Sequence, residues 1–357
     1  MASPYADLES RAFWRSAVGE RDALDPGDLY RPRFPLPITA RVATAGSCFA
    51  QHVGRALRQA GYNVQDAEPF PVGWTTPNAA RYGFGIYSAR YGNIYTVRQL
   101  LQLHDEAFGA LTPALPVWER GGRFFDAQRP GVEPDGLDSP EAVLAHRARH
   151  LARVRALFQG CDVFVFTLGL TEAWVHTETG TVYPTAPGTI AGTFDPAVFS
   201  FVNYGFPEIL ADFETFMSRM KAHNPDIRFL VTTSPVPLTA TATGQHVEVA
   251  TAYSKAVLRA VCGTLYERHG DLDYFPSYEV ITSANNRGVY FASNKRSVSD
   301  LGVQTAMRLF LTAHGATPGA GDAVAARGGK RRRARPEAPA TAEDVVCEEA
   351  LLEAFSK

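Results

Sequence analysis

The chain has 357 residues, 20% charged and 45% hydrophobic, and 35 Lys and Arg against 37 Asp and Glu leave a net charge of −2. That balance excludes a disordered chain, a disulfide-rich secreted scaffold and a globally basic nucleic-acid binder, and the length buries a core without staples. Cys48, Cys161, Cys262 and Cys347 show no paired spacing, so reduced thiols are expected and a zinc ribbon is not.

Residues 1–37 read as a Pro- and Arg-rich arm packing on a core, with a short helix expected around Leu8–Val18. They show neither a basic leader nor an apolar stretch, and runs such as Val163–Phe166 are too short to cross a bilayer, so a cytoplasmic protein is expected. Ile38–Ala45 is extended in character and runs into Gly46-Ser47-Cys48-Phe49, after which Phe49, Val53, Leu57 and Ala60 recur at helical spacing as far as Gly61. Residues 62–135 form an irregular insertion with a helix at Val97–Phe108 and a hairpin around Trp118 and Phe124-Phe125. A helix over Ser139–Phe158 leads into a strand at Asp162–Leu168, and turns with short extended pieces fill 176–204.

A second helix–strand pair follows, with Ile209–Met220 ended by Asn224-Pro225 and then the strand Ile227–Thr232. A helix over Val247–Arg268, striped by Val249, Tyr253, Val257, Val261 and Leu265, precedes the short strand Leu272–Phe275. Ser299 then caps a last helix bearing Val303, Met307, Phe310 and Leu311. Strands separated by helices predict a three-layer α/β/α domain over 38–314 with a mostly parallel sheet. Beyond it, 315–340 reads as a flexible basic linker and 341–357 as a short amphipathic acidic helix. Their charges are +6 over Arg327–Arg335 and −5 over Glu337–Lys357. The Lys330–Arg335 block reads as a solvated run or a surface contact, and the terminal helix as an element that docks on a protein partner or on its own domain.

Ser47 follows a glycine between the first core strand and a helix, at the sheet edge where ligands of open parallel sheets bind. Two readings stand: an N-cap, or a nucleophile whose helix N-terminus supplies N–H groups to an oxyanion. Cys48 is turned about 100° away on a helix and reads as structural. Sequence motifs for nucleotide or metal sites are lacking, and neither cofactor nor metal is expected.

Gly46-Ser47-Cys48-Phe49-Ala50 resembles the signature of the GSCFA family, a branch resembling the SGNH (GDSL-like) hydrolases. Arg90–Thr96, Thr167–Trp174, Ser234–Leu238 and Tyr274–Glu279 resemble that family's blocks in the same order, so the likeness spans roughly residues 5–312. The resemblance implies an SGNH/flavodoxin-like fold and an esterase or O-acyltransferase acting on an acyl ester, often of a carbohydrate. It makes Ser47 the nucleophile and puts Gly92 or Asn93, with Thr171 where Asn usually stands, at the oxyanion. Glu172 orients groups or lines the pocket.

The last block departs from that pattern. Asn294 and Ser297 stand where the superfamily places an Asp and the general-base His, and neither accepts a proton near neutral pH. His246 is the replacement base expected from topology, because it follows the Ile227–Thr232 strand at the edge that carries Ser47. His52 lies roughly 140° round the helix from Ser47, and His176 is placed to line the pocket. Two functions are therefore expected in competition. One is a Ser47 acyl-enzyme with an atypical base; the other is a non-catalytic glycan- or protein-binding module that kept the cleft after losing the dyad.

Overall fold

Residues 3–316 and 348–356 are described by the computed structural model. In chain order, β1 (Val42–Gly46) leads to α1 (Ala50–Gln59), α2 (Thr76–Arg81) and α3 (Val97–Ala107). The hairpin β2 (Val117–Arg120) and β3 (Arg123–Asp126) precedes α4 (Pro140–Gly160) and β4 (Val163–Leu168). Three short strands follow, β5 (Glu172–His176), β6 (Val182–Tyr183) and β7 (Phe199–Asn203), then α5 (Phe206–His223) and β8 (Arg228–Thr233). The domain ends with α6 (Val247–Arg268), β9 (Leu272–Tyr274), α7 (Ser277–Thr282) and α8 (Asp300–Ala313).

Strands β1-β4-β8-β9 form one parallel sheet. β1 and β4 are buried along their whole length, as befits strands covered on both faces. A parallel bridge from Val42 to Val64 adds a rudimentary strand outside β1. Counting it, the order is the flavodoxin-like 2-1-3-4-5, whose ligand crevice opens at the carboxyl ends of the first and third strands, here β1 and β4. On one face α3, α4, α5 and α6 bury Leu100, Phe158, Phe216 and Leu258. On the other α1, α7 and α8 bury Val53, Ile281 and Phe310 with Tyr30 from the N-terminal arm. This is the three-layer α/β/α fold the element order predicts.

Three local expectations need correction. The arm carries a short 3-10 turn at Ser10–Ala12 and a wide turn at Arg15–Gly19 in place of one helix. Residues 172–203 build an antiparallel sheet, β6-β5-β7, whose Tyr183 and Phe199 pack on Trp118 of the hairpin. The expected stripe of α6 packs only in its later part: Val257 lies against the core and Val261 and Leu265 are buried, but Val249 and Tyr253 are exposed, and Ala250, Ser254, Lys255, Leu258 and Cys262 also face inward. The linker and its Lys330–Arg335 block lie outside the described residues. Of the C-terminal segment, Glu348–Phe355 forms a 3-10 helix. No helix among the described residues is long and apolar enough to cross a membrane.

Candidate active site

Gly46 makes the site's geometry possible. Its φ of +134° is open to glycine, and a Cβ there would lie 2.5 Å from the Thr167 carbonyl oxygen. β1 therefore closes on β4 at its last residue, and the chain turns at Ser47. Ser47 is 3% exposed, and its Oγ has no hydrogen-bond partner among the described residues. Gly169, just past β4, abuts it: a Cβ at Gly169 would stand 2.6 Å from Ser47 Cβ and 3.2 Å from Oγ. The serine thus sits at the switch point between the two strands.

Neither the N-cap reading nor a helix N-terminus opening at Ser47 is what the structure shows. α1 begins at Ala50, and the Ser47 N–H continues the sheet by donating to the Thr167 carbonyl at 3.1 Å. Ser47 is therefore no N-cap, and an oxyanion there must be held by other donors.

The side chain of Asn93 presents a donor close by. Its Oδ1 accepts from the Tyr87 hydroxyl and, at 3.4 Å, from Gln51 Nε2, while Tyr87 also donates to the Ser47 carbonyl at 3.2 Å. With Oδ1 so engaged, Nδ2 points to the outside partner, and it donates to Glu348 Oε2. Tyr95 donates to the same oxygen at 3.0 Å. Gly92, at φ +68°, makes the bend that delivers Asn93.

The loop carrying Asn93 is anchored from below. The Arg90 N–H donates to Glu68 Oε2 at 2.6 Å, the Arg90 carbonyl accepts from Arg129 at 2.9 Å, and Tyr91 donates to the Thr44 carbonyl of β1. Arg129 rests on Asp126, which Arg147 also contacts while pairing with Glu106. Burial would raise the Asp126 carboxyl, but Arg147 and Arg129 outweigh it and hold it at about 2.

The remaining expected residues fall in different places. Thr171 is wholly buried; its N–H donates to Ser254 Oγ at 3.3 Å, its carbonyl accepts from Tyr204, and its Oγ1 has no partner among the described residues. Glu172 is half-buried and ties β5 to the loop after β8, accepting from the Thr241 hydroxyl at 2.7 Å and the Ala242 N–H at 3.3 Å. Burial raises its pKa against those two bonds. It also lines a cavity of about 230 Å³ with Leu170, Trp174, Phe201, Leu238 and Leu352. Leu170 and Leu238 pack with Tyr95, so this cavity adjoins the Asn93–Tyr95 donors.

His246 is exposed at the N-cap of α6, where Nδ1 accepts the Glu248 N–H at 3.2 Å. That bond occupies the ring's acceptor nitrogen, leaving Nε2 as its protonated nitrogen when neutral. His176 turns to Thr179 in the β5–β6 turn. His52 lies against Phe49, and burial, assisted by Arg55, lowers its pKa to about 4. Asn294 and Ser297 bond one another in a surface turn: Nδ2 donates to Ser297 Oγ at 3.0 Å and Oδ1 accepts the Ser297 N–H at 2.9 Å. Cys48 is buried, consistent with a structural residue.

Lys255 went unnoticed in the sequence. It is 2% exposed on α6, and its Nζ donates at 2.7 Å to the carbonyl of Gly169, the residue that touches Ser47. The available signal was the phase of α6: a stripe drawn through Ser254, Leu258 and Cys262 carries Lys255 inward. Among the described residues no cluster of His, Cys, Asp and Glu is arranged to hold a metal ion.

The fold and this constellation define an α/β/α protein with a buried serine at the switch point of a parallel sheet, linked through Tyr87 to the side chain of Asn93. The chain belongs to the GSCFA family, whose model matches residues 41–310. No curated protein matches it at a significant level.

Proposed function

We propose that this chain is an SGNH-type acyl-ester hydrolase or O-acyltransferase that works through a Ser47 acyl-enzyme. Ser47 Oγ attacks the ester carbonyl carbon while a base takes its proton. Asn93 Nδ2 donates to the oxyanion that forms, and the alcohol departs with the proton held by the base. Water, or the hydroxyl of an acceptor sugar, then attacks the acyl-serine and restores Ser47 Oγ–H. The single observation carrying this reading is that Asn93, fixed by Tyr87 beside Ser47, already holds a carboxylate oxygen on Nδ2.

For the base, the geometry favours Lys255 over His246. Lys255 is buried against Gly169, which abuts Ser47, whereas the His246 ring is exposed and capping α6. A lysine amine serves as general base where its surroundings stabilise the neutral form. The adjoining cavity suits an acylated sugar. Trp174 and Phe201 offer ring faces, and Glu172 and Thr241 offer polar groups at its wall. The second reading, a binding module without turnover, is favoured by the mutual bonding of Asn294 and Ser297 at the surface.

The test is ester turnover, read as acetate released from acetylated sugars and from p-nitrophenyl acetate. Ser47→Ala and Lys255→Met are expected to abolish it, and His246→Ala to leave it within about twofold. Retained turnover in Ser47→Ala sinks the acyl-enzyme. Loss in His246→Ala with retention in Lys255→Met returns the base to the histidine.

A further inference from the structure

The Ser47 site is met by the chain's own C-terminal segment. Glu348 is 6% exposed, although the residues it touches lie 253 and 255 positions earlier in the chain. Its Oε2 takes hydrogen bonds from both Asn93 Nδ2 and the Tyr95 hydroxyl. Its other oxygen lies over two glycines. A Cβ built on Gly131 would stand 2.9 Å from Glu348 Oε1 and 3.3 Å from its Cγ, and one on Gly92 would stand 3.6 Å from Oε1. Four residues further on, Leu352 completes the wall of the cavity that holds Trp174 and Glu172.

A carboxylate is costly to bury without donors, so a place that takes one this deeply is shaped for it. Ester cleavage releases an acid, and its carboxylate would leave one oxygen on the donor that held the oxyanion. Glu348 presents the same chemical group to the same donor.

We propose that Asn93 and Tyr95 form a carboxylate seat for the acid half of the ester, and that the chain fills this seat with its own Glu348. The C-terminal segment is then a tethered competitor for the site. The identity of the acid rests on the acyl-transfer reading. The competition does not, because any ligand reaching Asn93 Nδ2 must displace Glu348. A tethered group competes at an effective concentration of roughly millimolar, so a free carboxylate binds weakly until the segment leaves. Release of the segment is thus a control point for whatever the site does.

The experiment uses the full chain with Glu348→Ala, alone and combined with Gly131→Ala, whose methyl takes the space under any seated carboxylate. The probe is carboxyl-labelled butyrate, its binding followed by NMR line broadening. Glu348→Ala is expected to bind it roughly tenfold more tightly than wild type, and exposed Glu353→Ala to match wild type. Adding Asn93→Ala or Gly131→Ala to Glu348→Ala is expected to erase the gain. If Glu348→Ala binds butyrate no more tightly than wild type, or if Asn93→Ala leaves the gain intact, the seat is wrong. Phosphonate labelling of Ser47 separates this proposal from the enzymatic one. Equal labelling rates in wild type and Glu348→Ala overturn the competition and spare the nucleophile. A butyrate gain without labelling in either chain keeps the seat and removes the acyl-enzyme.

Discussion

The surroundings of Ser47 and the Asn294–Ser297 turn are built in opposite ways. Around Ser47 the groups are buried, bonded and braced: Gly46 and Gly169 admit close contact, Tyr87 and Gln51 aim Asn93, and a buried ionic chain through Arg129 and Asp126 holds the loop beneath. The Asn294–Ser297 turn is at the surface, and its two polar side chains satisfy each other. On the acyl-transfer reading, the groups that would bind the substrate and stabilise charge are preorganised, while proton transfer falls to groups outside that turn.

That contrast is open to direct attack. The largest effect is expected at Asn93. Removing one oxyanion donor costs about 10²- to 10³-fold in turnover, so Asn93→Ala should lose that much, whereas Asn294→Ala or Ser297→Ala should change turnover by less than about twofold. Equal losses at both places would erase the distinction between the halves.

Next comes the bracing. Asp126→Ala leaves Arg147 and Arg129 buried without their shared carboxylate and should lower stability by about 3–5 kcal/mol, read by denaturant unfolding. A cost near that of a surface ion pair would mean that the loop bearing Asn93 is held by other means. Gly169→Ala pushes a methyl to within 2.6 Å of Ser47 Cβ and should cost about 1–3 kcal/mol together with most of the turnover.

The last effect is in pH. Burial lowers His52, His150 and His314 to about 4, so each stays neutral in the folded chain down to that pH, while the unfolded chain protonates near 6.5. The folded pKa lies below the unfolded one, so this contribution is complete above about 6.5 and is lost as pH falls toward 4. Melting temperature should decline across that window, and His314→Gln should shallow the decline.

The sheet was legible because β1, β4 and β8 are apolar runs bounded by helical patterns, and Ser47 and Asn93 were legible because they sit in motifs of contiguous residues. The antiparallel sheet was hidden: Glu172–His176 alternates over only five residues, inside a stretch rich in turn formers. Lys255 was hidden by phase, since Val249 and Tyr253 drew the first turns of the α6 stripe away from the face that packs there. The Gly169–Lys255 bond and the seat of Glu348 join residues 86 to 255 apart, and local pattern carries no such information. The shared charge of the tail hinted that its last segment docks on something. The structure gives Glu348 a partner inside the chain itself.

The central claim is that Ser47 is a nucleophile whose surroundings are built for an acyl group. Its most direct test is stoichiometric reaction with a fluorophosphonate, located by peptide mass, in the wild-type chain and in Glu348→Ala. The account predicts a single adduct on Ser47, formed faster in Glu348→Ala and lost in Ser47→Ala. An adduct that persists in Ser47→Ala, or a folded Glu348→Ala chain that never reacts, would contradict it.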